Sequence, residues 1–357
     1  MKAAVWHENA NELSVEEIPD PVLLQGSVLM QVQAAFVPGA LADRLTDTST
    51  PGLPPFPHVP GFETVGRIVE TADDVQGLQV GELVYCNHWY SSHDLASEPD
   101  HCFLGGFGMG PGAAKHLHKW RHGNLAEKLM LPAECVVPLG AAADVATPAR
   151  LARLGWVGTA YGGLLRIGFQ PGETLIVNGA TGVVGSSGVL LGLAMGAAKI
   201  VAVGRNKELL DRLVAIAPAQ VVAVRLTGSD DDAQRIKDAA DGSADALLDA
   251  VGGGASVKPT LAAIGALRQR GRAVLVGAGI TEQLSFDYVD VVYREISVMG
   301  SLWYSNEAAA RMVAMIAAGT LDLSMINPIE YKLDDAMDAV RRANMGGLGL
   351  DHVVVCP

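Results

Sequence analysis

From Thr147 onward, short apolar runs alternate with runs of helical pattern, and this alternation restricts the possible folds. Buried strands are predicted in ETLIVNG, KIVAVGR and QVVAVRL, with the small-residue helix GSSGVLLGLAMGA after the first and NKELLDRLVAIA after the second. The series continues through ADALLDAVGG, RAVLVGAG and ISVMGS. Helical crossovers return the chain to the same end of a sheet, so consecutive strands run parallel. The sequence therefore predicts an α/β domain with a doubly wound parallel sheet over residues 148–304.

The first of these strands ends in a glycine-rich turn that opens a helix. Residues 180–185 read ATGVVG, a Gly-x-Gly-x-x-Gly pattern with alanine in its first place and Gly179 just before it. Glycines let the backbone approach a pyrophosphate at a helix N-terminus, where free N–H groups and the helix dipole favour negative charge. Because the pattern lies between a predicted strand and a predicted helix, it indicates a dinucleotide site. The residues placed at this site are Ala180, Thr181, Gly182, Val183 and Val184.

The end of the next strand predicts which dinucleotide binds. Sites for NAD place an acidic residue about twenty residues further on, but here Gly204 stands in that place and Arg205 follows it. An arginine can hold a 2′-phosphate through two hydrogen bonds, and no carboxylate repels the phosphate. The sequence therefore predicts NADPH rather than NADH, with Lys207 as a further contact. The alternative is that Arg205 is only an exposed residue at the start of a helix.

Composition excludes several other classes of protein. The chain has 357 residues, of which 49% are hydrophobic, and a formal net charge of −13. We expect no nucleic-acid partner, because a duplex-binding protein needs a basic face. The uncharged segment 174–198 is long enough to span a bilayer, but its six glycines predict a strand, a turn and a buried helix instead. Four cysteines without Cys-x-x-Cys spacing indicate reduced thiols in a cytoplasmic protein.

The N-terminal part has a different pattern. Short β-branched runs broken by glycine, proline and aspartate occur in GSVLMQVQAAFV and ETVGRIVETADDVQGLQVGELVYC. These runs predict a β-rich domain. The final segment, HVVVCP, predicts a strand that rejoins it.

Several stretches together resemble the medium-chain dehydrogenase/reductase superfamily over essentially the whole chain. They are GFETVGRIVE, GLQVGELV, AEKLMLPAECVVPL, GWVGTAYGGLL and GATGVVGSSG. The resemblance implies a GroES-like catalytic domain over residues 1–147, to which residues 305–357 return, and an inserted Rossmann domain over residues 148–304. It also implies a homodimer joined at the strands that end near Ser301. Further cofactor contacts are expected at Thr159, Val251, Gly252, Val276, Gly277 and Ser301.

Members of this family that hold a catalytic zinc supply three ligands, and this chain departs from them at all three. The corresponding positions are Pro38, Phe62 and Trp156, none of which offers zinc a lone pair. The closely spaced cysteines of the family's structural zinc lobe are missing too, and the His-rich segment 88–123, which includes His93, is interpreted as a surface loop over the cleft. We therefore expect no metal. The predicted apolar substrate pocket consists of Pro38, Phe62, Trp156 and Trp303.

Without zinc, conjugated acceptors are the easier substrates, because their delocalised charge needs less electrophilic assistance. The similar zinc-free branches of the family imply NADPH-dependent reduction of a quinone or an α,β-unsaturated carbonyl, an apolar or aromatic small molecule. Two alternatives stay open: a zinc-independent carbonyl reductase or alcohol dehydrogenase, and an NADPH-binding sensor or structural protein without turnover. The tyrosine that protonates substrate in enoyl reductases has no counterpart in ALADRLTDTSTPG. The candidate proton donors are Asp43, His88, Tyr90 and Tyr304.

Overall fold

The structure is a computed structural model that describes residues 1–46, 52–92, 99–229 and 231–357. Two large sheets organise these residues, one of seven strands and mostly antiparallel, the other of six parallel strands. A β-rich domain beside a helix-covered parallel sheet confirms the predicted fold class.

The N-terminal domain begins with strands broken by turns. Its elements are β1 (Lys2–Val5), β2 (Ser14–Glu17), β3 (Ser27–Phe36), α1 (Leu41–Thr46), β4 (Thr64–Thr71), β5 (Leu83–Cys86), β6 (Trp89–Ser91), β7 (His101–Phe103), β8 (Phe107–Met109), α2 (Ala113–Lys119), β9 (Lys128–Pro132) and β10 (Val136–Pro138). The long strand β3 organises them, since it pairs antiparallel with both β4 and β9. Strand β5 then joins β4 to β10, so the end of β5 lies well inside the domain.

The second domain alternates strands and helices, as predicted. Its elements are α3 (Ala142–Val145), α4 (Pro148–Leu151), α5 (Leu154–Arg166), β11 (Thr174–Asn178), α6 (Val183–Ala194), β12 (Lys199–Gly204), α7 (Lys207–Ile216), β13 (Val221–Arg225), α8 (Asp232–Ala239), β14 (Ala244–Asp249), α9 (Lys258–Gly265), β15 (Leu267–Leu275), α10 (Tyr288–Arg294) and β16 (Ser297–Gly300). The strand order is β13-β12-β11-β14-β15-β16. The order reverses between β11 and β14, and ligands of doubly wound sheets bind in the crevice at such a point.

The chain then turns back to the first sheet. Helix α11 (Asn306–Ala317) is followed by β17 (Asn327–Tyr331), α12 (Ala336–Asn344) and β18 (Asp351–Val355). Strand β18 pairs parallel with β17 and antiparallel with β3. The loop before β18 lies against the second domain, where a Cβ on Gly349 would be 3.2 Å from Leu209.

The interpretation of residues 88–123 as a surface loop is wrong for much of the segment that the structure describes. Strands β6, β7 and β8 form a three-stranded sheet against α2. The side chains of His88, Cys102, Leu104 and Leu117 are completely buried. The buried side chains of Cys102, Leu104 and Leu117 form an apolar face that the sequence pattern did not reveal, and burial of this face drives the packing. His93 lies outside the described residues.

The segment that contains the uncharged run 174–198 forms β11, the glycine turn and the twelve-residue α6. Among the described residues, no helix has the length and apolar character needed to cross a membrane.

Candidate active site

A cleft of about 1200 Å³ opens where the strand order reverses, between the ends of β11, β12 and β14. Gly182 is the N-cap of α6, and as a glycine it has no side chain that could cap the helix. The N–H groups of the first helical turn are therefore available to a ligand. Gly179 has φ of 75°, and a Cβ on Gly185 would overlap the carbonyl oxygen of Gly179. Only glycines allow this close turn, which fits the pyrophosphate of a dinucleotide.

Most of the predicted cofactor residues of this half meet at the cleft. Thr181, Gly182, Gly204, Arg205, Val251 and Gly252 line it. Ala180 lies behind the turn, where its N–H donates to the carbonyl of Val203. Val183 and Val184 begin α6.

The cationic end of the cleft differs from the prediction in detail. Arg205 is exposed at its rim, and Arg225 lies beside it, with Nε donating to the Arg205 carbonyl over 3.3 Å. Lys207 does not line this cleft, because it lies within α7 and its Nζ pairs with Asp211 one turn on. Sequence reasoning missed Arg225, Lys258 and Gly347, which all line the cleft. The parallel register of β12 with β13, which pairs Gly204 with Arg225, is what brings the two arginines together.

A second cleft, of about 880 Å³, lies at the ends of β15 and β16. Here Val276, Gly277 and Ser301 face Tyr90, Trp303 and Tyr304. Thr159 lines neither cleft; it is buried in α5, and its hydroxyl donates to the carbonyl of Gly155 over 3.0 Å. Six of the fourteen predicted cofactor residues therefore line the first cleft and three line the second. The other five line neither cleft: Thr159, Ala180, Val183, Val184 and Lys207.

Three of the four predicted pocket residues belong to one aromatic cluster. The ring of Trp303 lies 6.4 Å from Phe62 and 6.0 Å from Trp156, both nearly edge-on. Phe103 joins them at 4.7 Å from Trp303. Such edge-to-face pairs stabilise packing beyond simple burial. Pro38 is buried just before α1, but none of these ring contacts involves it.

A buried acid lies beside this cluster. The carboxylate Oε2 of Glu63 accepts a hydrogen bond from the hydroxyl of Tyr85 and lies 3.4 Å from the hydroxyl of Tyr304; the two hydroxyls also bond to each other. Glu63 and Tyr85 are completely buried, and Tyr304 is 5% exposed. Burial raises the pKa of Glu63 to about 8, although the bonds from the two tyrosines lower it. The carboxyl group is therefore mostly protonated at neutral pH.

Local structure explains how the acid reaches this place. Glu63 has φ of 72°, a conformation that is uncommon for residues with a side chain. Asn124 holds that backbone, since its Nδ2 donates to the carbonyls of Phe62 at 2.9 Å and Glu63 at 2.8 Å. On α5, a Cβ at Gly155 would overlap Oε2 of Glu63, and one at Gly158 would overlap the ring of Tyr304. The pair of glycines three residues apart thus makes room for the acid and the phenol.

The four candidate proton donors differ in position and in burial. Tyr304 belongs to the acid cluster and also lines the second cleft; Tyr90 lines that cleft with its ring 5.1 Å from His116. His88 is completely buried, bonded to Thr64 at 3.0 Å and to the Leu104 carbonyl at 2.8 Å, and burial lowers its pKa to about 4. A neutral, enclosed imidazole cannot serve as an acid at neutral pH. Asp43 is exposed on α1 and lines neither cleft.

The residues at the family's zinc positions do not fit a zinc ion. Pro38, Phe62 and Trp156 offer no lone pair to a metal. Among the described residues, no group of three or more histidine, cysteine, aspartate or glutamate side chains is arranged to hold one.

The fold and the first cleft are those of a dinucleotide-binding domain beside a β-rich domain. Comparison with known proteins agrees. Residues 25–141 match the family model of the alcohol dehydrogenase GroES-like domain, and residues 183–318 match that of zinc-binding dehydrogenases. The chain belongs to the medium-chain dehydrogenase/reductase superfamily and is an oxidoreductase of the alcohol dehydrogenase type.

Individual relatives match along nearly the whole length. An alcohol dehydrogenase of Geobacillus stearothermophilus is 27% identical over 97% of this chain and 98% of its own. The structure of the alcohol dehydrogenase from Aeropyrum pernix superposes with a TM-score of 0.80 at 23% identity, covering 100% of both chains. That of a putative zinc-binding dehydrogenase from Sinorhizobium meliloti 1021, bound to NADP, gives 0.79 at 20% identity, covering 100% of this chain and 99% of the other.

Proposed function

We propose that this protein is a zinc-independent, NADPH-dependent oxidoreductase that transfers hydride to a quinone or an α,β-unsaturated carbonyl. The observation that carries the proposal is the replacement of the metal positions by the rings of Phe62 and Trp156, which meet Trp303 beside a buried acid. Trp303 brings this cluster to the second cleft, where a dry aromatic wall suits a flat apolar acceptor and excludes water from the reacting atoms.

A dinucleotide fits the first cleft, and its reduced nicotinamide would supply the hydride. The turn from Gly179 to Gly185 would hold the pyrophosphate through the N-terminus of α6. Arg205 and Arg225 at the rim support NADPH, since two guanidinium groups suit a 2′-phosphate. Val276, Gly277 and Ser301 would border the nicotinamide half.

Tyr304 is the proton donor in this proposal. As hydride adds to the acceptor, negative charge develops on its oxygen, and the Tyr304 O–H bond breaks as a new O–H bond forms on the product. The Tyr304 oxygen then takes a proton from the Glu63 carboxyl group, directly or through the Tyr85 hydroxyl, and Glu63 is left as a carboxylate that takes a proton from solvent before the next turnover. Because Glu63 must be protonated to supply that proton, activity should fall as the pH rises through about 8.

The same cluster favours a second candidate, a zinc-independent carbonyl reductase or alcohol dehydrogenase. A tyrosine hydroxyl supported by a neutral carboxyl group can donate to a developing alkoxide and so replace an electrophilic metal. The two activities differ in their dependence on conjugation of the acceptor.

The deciding experiment is cofactor consumption by metal-stripped protein against matched pairs of acceptors. A quinone and an enone would each be compared with the saturated ketone of the same carbon skeleton, with NADPH and NADH in parallel. We expect turnover with NADPH on the conjugated members alone. Equal or faster turnover of the saturated ketones would replace the first proposal by the second. Tight NADPH binding without consumption of any acceptor would favour a sensor or structural role.

We also propose a homodimer formed through α10 and β16. Strand β16 is the edge of the parallel sheet, and Tyr288 and Tyr293 on α10 are 81% and 76% exposed. Val289, Val292 and Leu302 extend this apolar face, and such patches mark protein interfaces. Light scattering should give the mass of two chains, and Tyr293→Asp should reduce it to that of one.

A further inference from the structure

Arg153 is a completely buried cation at the junction between the two large sheets. It immediately precedes α5, and its guanidinium group donates to the carbonyls of Val183 at 2.6 Å and Gly349 at 2.7 Å. Further bonds reach the hydroxyls of Ser186 and Ser187 and the carbonyl of Asp351. The five bonds join the first turn of α6 to the loop that precedes β18.

The charge of this group is not neutralised locally. Among the described residues, every hydrogen-bond acceptor of Arg153 is an uncharged oxygen. The charge of Asp351 partly offsets that of Arg153, but the Asp351 carboxylate pairs with Arg212 at 2.9 Å. Burial lowers the pKa of Arg153 to about 9, so the side chain still carries its charge at neutral pH.

An unneutralised buried charge is unfavourable unless something nearby balances it. Val183 is the first residue of α6, directly after the glycine turn that fits the pyrophosphate. Gly347, in the loop that Arg153 also holds, lines the same cleft. The charge therefore lies behind the phosphate site, where a bound dianion would complement it through low-dielectric protein.

We propose that Arg153 is a positioning residue for the dinucleotide: its fixed positive charge strengthens binding of the pyrophosphate from behind the turn, and its bonds hold the 347–351 loop against that turn. It does not touch the phosphates, because the side chain is completely buried and each of its three nitrogens donates to a protein oxygen. The inference concerns any nicotinamide dinucleotide, so it stands or falls independently of the acceptor proposed above.

The test separates charge from structure by using two ligands and two variants of the full chain. ADP carries the pyrophosphate and adenosine does not, and their affinities can be measured by calorimetric titration.

Arg153→Gln removes the charge but keeps a hydrogen-bond donor, whereas Arg153→Lys keeps the charge and loses the planar guanidinium group. We expect Arg153→Gln to weaken ADP binding about tenfold and to leave adenosine within about twofold, with Arg153→Lys close to the wild type for both. Equal weakening of both ligands by Arg153→Gln, or equal loss of ADP affinity in both variants, would overturn the proposal.

A second variant keeps Arg153 intact and tests the opposite direction. Asp351→Asn removes the acid that partly offsets the charge, so ADP affinity should rise about threefold while adenosine affinity stays unchanged. Asp338→Asn is the matched control, since Asp338 is an exposed acid on α12 that pairs with Arg341. An Asp351→Asn protein with wild-type ADP affinity would contradict the proposal even if the Arg153 variants fail to fold.

Discussion

Arg153 and Glu63 are both completely buried and ionisable, but they differ in hydrogen bonding and in charge state. Arg153 has an oxygen acceptor for each of its side-chain nitrogens, and its backbone is in the right-handed helical region. Glu63 has a left-handed backbone, and its Oε1 has no hydrogen-bond partner among the described residues. The cation is satisfied and stays charged, whereas the acid is incompletely satisfied and stays protonated at neutral pH.

This difference indicates different roles. A group that is fully hydrogen-bonded is held in one place and one charge state, which suits a fixed electrostatic contribution. A strained and partly unsatisfied acid with a pKa near 8 can give up and regain a proton, which suits catalysis.

The largest effect is expected on stability when Arg153 is removed. Arg153→Met would leave buried carbonyl and hydroxyl oxygens without donors, and we expect the free energy of unfolding to fall by about 3–5 kcal/mol. Arg341→Met is the control, because Arg341 is 54% exposed and forms only surface ion pairs; it should change stability by less than about 1 kcal/mol. Denaturant titration would measure both, and equal losses would contradict the distinction between the two arginines.

Tyr304→Phe removes the hydroxyl proposed to donate the proton while preserving the ring that packs on Trp303. We expect kcat to fall by about 100-fold, roughly 3 kcal/mol of transition-state stabilisation, with cofactor affinity unchanged. Tyr90→Phe should retain kcat within about threefold, although Tyr90 lines the same cleft. Steady-state kinetics with the preferred acceptor would measure both, and a larger loss for Tyr90→Phe would transfer the donor role to Tyr90.

Glu63→Gln should stabilise the protein at high pH. The pKa of Glu63 is about 8 in the folded protein and near 4.5 when unfolded, so ionisation of the unfolded chain lowers wild-type stability progressively between those values. The variant cannot ionise, and we expect its free energy of unfolding to exceed that of the wild type by about 2–4 kcal/mol at pH 8 and by almost nothing at pH 4.5. Unfolding curves at several pH values would show this slope; a difference independent of pH would mean that Glu63 is not held protonated.

The smallest effect is expected for the exposed cation at the first cleft. Arg205→Ala should weaken NADPH binding by about 1–2 kcal/mol and leave NADH binding unchanged, because only NADPH carries the 2′-phosphate. Lys207→Ala is the control, since Lys207 pairs with Asp211 away from the cleft. Fluorescence titration with both cofactors would decide the point, and equal losses for NADPH and NADH would contradict the preference.

The local sequence was sufficient to predict the parallel sheet and its cofactor turn. The alternation of strands with helices and the ATGVVG turn depend on neighbouring residues, so short-range pattern carries them. The departure of Phe62 and Trp156 from a metal-binding pattern is also a matter of residue type. The burial of His88, Cys102 and Leu117 within the segment 88–123 was missed, because histidine and glycine content says nothing about what a segment packs against.

The sequence by itself determined the fold class and the glycine turn, since both follow from residue type or short spacing. Only the tertiary structure decided that Glu63, Tyr85 and Tyr304 meet, because their hydroxyl and carboxyl groups come from positions 22 and 241 residues apart from Glu63. It likewise decided that Arg153 bonds to the start of α6, next to the glycine turn, and that Arg225 stands beside Arg205. The physical reason is that strand pairing and burial set the neighbours of a side chain and the dielectric environment around it. Neighbours and environment together determine whether the side chain holds or releases its proton.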